Sequence, residues 1–80
     1  MKVRVLLFAG LAQRAGTREW ELDDVGERAT VGSLMTALRA RHPFLAAVPF
    51  VVARNHELAG ESAPIADGDE LALLPPVSGG

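Results

Sequence analysis

Few side chains in this 80-residue chain could form a reaction centre. There is no cysteine, hence no thiol nucleophile, no persulfide carrier, no thiolate metal site and no disulfide. His42 and His56 are the two histidines, and neither has an acidic or histidine partner at metal-ligand spacing on a shared face. They read as a helix-end residue and a turn residue. Asp67 and Asp69 flank Gly68 but lack the remaining positions of a calcium loop. Ser33, Ser62 and Ser78 have no nucleophile elbow and no paired base. What is left is the main-chain carboxylate that follows Pro75-Pro76-Val77-Ser78-Gly79-Gly80.

The residue types before that carboxylate suit a presented end. Pro75 and Pro76 carry no N–H to donate, so a sheet must stop there, and the pair favours stiff polyproline II geometry. Six extended residues reach at most about 20 Å. Gly79 and Gly80 have no Cβ, so the tip can pass a channel too narrow for any side chain. A carboxylate with a pKa near 3.5 is ionised at neutral pH and is a poor electrophile, so it must be activated before it can react. The chain has no glycine-rich phosphate loop of its own. With no cysteine, any sulfur the chain handled would have to ride on something other than a side chain.

Composition bounds the rest. The apolar fraction is 49%, the charged fraction 22% and the net charge −2, ordinary values for one small folded domain. The eight basic residues are scattered, with no stripe or aromatic platform for nucleic acid. No apolar run approaches membrane-spanning length, and the N-terminus lacks a signal-peptide layout, so the cytoplasm is the expected compartment.

The elements that must position the tail follow in order. Val3 to Phe8 reads as a central strand, with Val3, Val5 and Leu7 on one face and Leu6 and Phe8 on the other. Ala9 to Ala15 suits a short helix stopped by Gly16. Thr17 to Leu22 alternates as a half-exposed strand antiparallel to the first, with Trp20 and Leu22 on one side. Asp23 to Arg28 is a polar connection. Thr30 is placed to cap the main helix, Val31 to Arg41, whose stripe is Val31, Leu34, Met35 and Leu38. Pro43 forbids its continuation. A strand from Phe50 to Ala53, a turn over Arg54 to Glu57 with Asn55 left-handed, and a short edge strand at Leu58 come next. The loop from Pro64 to Asp69 closes on Ile65 and turns at Asp67-Gly68 before a last apolar strand, Glu70 to Leu74. The first and last strands are the most apolar and are expected side by side in the centre. The class is α+β, a mixed sheet with one main helix on one face and a short extra helix. The expected division is a body over 1–74 and an extended tail over 75–80.

This order, together with Leu7-Phe8-Ala9, Asp67-Gly68-Asp69-Glu70 and the terminal Leu73-Leu74-Pro75-Pro76-Val77-Ser78-Gly79-Gly80, resembles the ubiquitin-like β-grasp sulfur carriers, most closely the small subunits of molybdopterin synthase. Leu73 and Leu74 stand where aromatics are common in that family. The resemblance implies a cycle in which no cofactor is bound by the chain itself. A ubiquitin-activating-like adenylyltransferase uses ATP to adenylate Gly80, and a sulfur donor enzyme converts the acyl-adenylate to a thiocarboxylate. The tail, Pro75 to Gly80, then inserts into the large catalytic subunit, which transfers the sulfur to cyclic pyranopterin monophosphate. Two small and two large subunits are implied. By the same resemblance Phe8, Leu58 and Leu74 pack on the large subunit, although Phe8 and Leu74 also lie on strands that must bury one face. Two alternatives share the tail chemistry: a carrier for thiamine or tRNA thiolation, and a protein modifier joined through Gly80. Lys2 is the sole lysine, which essentially excludes branched polymers on internal lysines.

Overall fold

The computed structural model describes residues 1–76; the tail positions Val77, Ser78, Gly79 and Gly80 lie outside the described residues. Five strands form one sheet: β1 (Val3–Leu7), β2 (Glu19–Leu22), β3 (Val51–Arg54), β4 (Glu57–Leu58) and β5 (Glu70–Leu74). Their spatial order is β2-β1-β5-β3-β4. The most apolar strands, β1 and β5, are neighbours and run parallel, while the other pairings are antiparallel. Helix α1 (Gly10–Ala15) follows β1, and α2 (Val31–Arg41) covers one face of the sheet.

Alternation along the strands assembles the core. Val3, Val5 and Leu7 of β1 and Leu71 and Leu73 of β5 are buried with the helix stripe Val31, Leu34, Met35 and Leu38. Truncating any of the fully buried members, such as Leu38 or Leu71, to alanine would cost roughly 2–5 kcal/mol. That is a large share of the ~5–15 kcal/mol a domain normally holds.

Local chemistry sets the ends. Thr30 caps α2: its hydroxyl accepts from the Ser33 N–H at 3.1 Å, and the Ser33 hydroxyl accepts from the Thr30 N–H at 2.9 Å. Gly16 ends α1 at φ 74°, a left-handed value that glycine adopts without cost. Beyond α2 the chain does not simply loop. Pro43–Ala46 forms a 3₁₀ turn with proline at its start, and it drives Leu45 into the core. His42, between helix and turn, stacks on Trp20 of β2 with ring centroids 4.1 Å apart. That contact closes one edge of the core. Val25, inside the expected polar connection, is also buried, and its carbonyl accepts from the Met1 ammonium at 2.6 Å.

Candidate functional site

The face of the sheet that α2 leaves uncovered carries the candidate site. Register builds it as one row across all five strands: Glu19, Leu6, Ala72, Ala53 and Leu58 lie successively opposite one another. Phe8 follows Leu7 onto this face, and Leu74 alternates onto it from buried Leu73. Phe8 is 44% exposed and Leu58 71% exposed, while Leu6, Ala72 and Leu74 are half-buried. Leu6, Phe8, Ala53, Ala72 and Leu74 line a shallow groove of about 280 Å³, with His56 and Glu70 at its margin. Toward β2 the apolar strip gives way to charge, where Arg4 lies 3.6 Å from Glu19 and 3.8 Å from Glu70.

The three expected docking residues, Phe8, Leu58 and Leu74, thus lie on one face, and none belongs to the buried core. Leu6, Ala53 and Ala72 join them and were not singled out from the sequence. The signal was there, since Leu6 shares the parity of Phe8, but two-sided apolar strands do not declare which face a helix will cover. Pro75 and Pro76 leave β5 directly beside this strip and are exposed.

The strand that delivers the tail is pinned at its other end. Asp69, just before β5, is buried and accepts from Arg54 Nε at 2.6 Å, from the Ala66 N–H at 2.8 Å and from Asn55 Nδ2 at 3.0 Å. Burial pushes its carboxyl up. The hydrogen bonds from Ala66, Asn55 and Arg54, with the guanidinium charge, outweigh that and hold it below the usual carboxylate value. Asn55 adds two bonds to Glu70: its N–H donates to the Glu70 carbonyl at 2.8 Å, and its Oδ1 accepts from the Glu70 N–H at 3.0 Å. Asn55 and His56 hold φ of 50° and 74°, as a two-residue hairpin turn between β3 and β4 demands. On the other side, Asp67 Oδ1 accepts from the Lys2 N–H at 2.6 Å, and the Gly68 N–H, at φ 85°, donates to the Lys2 carbonyl at 2.8 Å. The Asp-Gly-Asp turn is therefore a structural knot that fixes β5 against both neighbours. Among the described residues no group of three His, Asp or Glu side chains is placed to hold a metal ion.

A half-covered mixed sheet, a parallel central pair and a tail leaving the last strand define a ubiquitin-like β-grasp protein. Residues 5–80 match the ThiS family model, and the chain belongs to that family. It is 45% identical to small archaeal modifier protein 1 of Haloferax volcanii over 92% of this chain and 95% of that one. The crystal structure of that protein superposes with a TM-score of 0.83 over the full length of both chains. The molybdopterin synthase sulfur carrier subunit of Chlamydomonas reinhardtii is 36% identical over the whole of both chains. A protein–protein complex of subunits 1 and 2 of the molybdopterin-converting factor from Helicobacter pylori holds a similar chain, 25% identical, with a TM-score of 0.69 and full coverage of both.

Proposed function

We propose that this chain is the sulfur carrier subunit of a molybdopterin synthase. In this reading Gly80 is adenylated by an ATP-dependent activating enzyme and receives sulfur from a donor enzyme as a thiocarboxylate. It then surrenders that sulfur to cyclic pyranopterin monophosphate inside the large catalytic subunit. The observation that carries it is the continuity between the exposed apolar strip and the exit of the tail. A partner seated on Leu6, Phe8, Leu58 and Leu74 meets Pro75 and Pro76 at the edge of the same surface. The stiff proline pair reduces the conformational entropy lost when the tail inserts. The Chlamydomonas relative and the Helicobacter complex support the pathway and the kind of partner.

The test is intact-mass and fragmentation analysis of protein purified with its natural C-terminus. Sulfur replacing oxygen on Gly80 is the expected result. A variant extended by one residue after Gly80 should fold normally yet never load sulfur; if it supports pterin sulfuration, the proposal fails.

A second reading, attachment of Gly80 to amines of other proteins, is favoured by the similarity to the archaeal modifier. Affinity capture separates the two. One large synthase subunit marks the carrier, and a ladder of covalent adducts marks the modifier.

A further inference from the structure

The amines of this molecule are few and unevenly placed. Lys2 is the only lysine, and its side chain is exposed. The α-amine of Met1 is engaged instead, donating to the Val25 carbonyl at 2.6 Å in a partly buried position. Both lie at the start of β1. Because β1 and β5 are parallel, Lys2 sits beside Gly68, at the end of β5 remote from the tail. An extended chain from Gly68 to Pro76 advances roughly 26 Å at ~3.3 Å per residue. The four residues after Pro76 reach at most roughly 14 Å. Even with the lysine side chain added, the chain's own C-terminus falls short of Lys2.

Lys2 also borders an open cleft of about 430 Å³ whose lining includes Glu21, Asp23, Gly68 and Glu70. The cleft lies at the end of the sheet where β1 begins, and Glu70 borders both it and the apolar groove. A slender Gly-Gly tip from another molecule can enter it, and the carboxylates of Glu21 and Asp23 can take a proton released there.

We infer that Lys2 is the acceptor for the activated C-terminus of a second copy of this chain, giving linear head-to-tail conjugates, while cyclisation of a single copy is barred by reach. This inference rests on the activation of Gly80 in the proposed function. In the step, the neutral ε-amine of Lys2 attacks the Gly80 carbonyl carbon of the acyl-adenylate. A C–N bond forms, the C–O bond to the phosphate breaks, and the nucleoside monophosphate departs. The surplus amine proton passes to a lining carboxylate or water, and nothing is oxidised or reduced.

Two arms test it. In the first, the full chain is incubated with its activating enzyme and ATP, pyrophosphate release is followed, and products are mapped by tandem mass spectrometry. In the second, the full chain bearing a C-terminal thioester is mixed with unmodified chain, which needs no enzyme. The expected result in both is a dimer with an amide between Gly80 and Lys2, lost in Lys2→Arg while pyrophosphate release is unchanged. Amide formation at Met1, dimers that persist in Lys2→Arg, a cyclised monomer, or activation without any dimer would each overturn the inference. Failure of the enzymatic arm alone, with no pyrophosphate release, would count against the proposed function; the thioester arm then decides the Lys2 inference by itself.

Discussion

Asp69 shows how much one side chain can do for a site it does not touch. It joins Arg54, Asn55 and Ala66, and so ties the start of β5 to the β3–β4 hairpin. Its folded-state carboxyl lies below its unfolded value, so the ionised form favours folding. That contribution is complete above the ordinary carboxylate pKa of about 3.9 and is lost as pH falls through the lower folded value. Asp69→Asn should therefore lower stability at neutral pH by about 2 kcal/mol and flatten the acid-side decline. Thermal melts of both proteins near neutrality and at about pH 3 check this, and an unchanged acid limb would remove Asp69 from the account. Gly32 is the second case. A Cβ there would meet Glu61 Cβ at 3.0 Å and the Glu61 carbonyl oxygen at 3.1 Å, and that carbonyl is held by the Gly32 N–H at 2.8 Å. The helical gain of about 1 kcal/mol for Gly→Ala competes with an overpacking cost of roughly 1–3 kcal/mol. Gly32→Ala is expected to lose up to about 2 kcal/mol net in denaturant unfolding.

At the scale of elements, the β3–β4 hairpin and the open face make separate predictions. His56 has a Cβ at φ 74°, where glycine is preferred in such turns. His56→Gly should stabilise the protein by about 0.5–1 kcal/mol, read as a rise in Tm. Leu58 is exposed, so Leu58→Asp should change stability by no more than about 0.5 kcal/mol. Under the proposed function, the same change should weaken binding to a large synthase subunit about tenfold or more in calorimetry. Normal affinity would show that the strip is not the docking face. Much of this level was legible in advance. The central, adjacent placing of the first and last strands, the capping Thr30 and the stop at Pro43 all follow from spacing and residue type. The 3₁₀ turn at Pro43–Ala46 was not, because its one fully buried residue, Leu45, shows no periodicity. Val25 was hidden for the same reason, a single apolar anchor inside a polar connection. The partners of Asp69 were illegible because Arg54 and Asn55 lie 15 and 14 residues earlier, and only the fold brings them together.

Among the described residues, the N-terminus and the exit from β5 lie at opposite poles of one parallel strand pair. Lys2 lies beside Gly68 at one pole, and Pro75 leaves at the other. Traction on the tail against an anchor at the N-terminus therefore acts along β1 and β5, not across them. The ladder between these strands is loaded in shear, with its hydrogen bonds sharing the force instead of parting one by one. A body of this construction resists being drawn out by its tip, so a partner that grips the tail can haul on it and release it with the sheet intact.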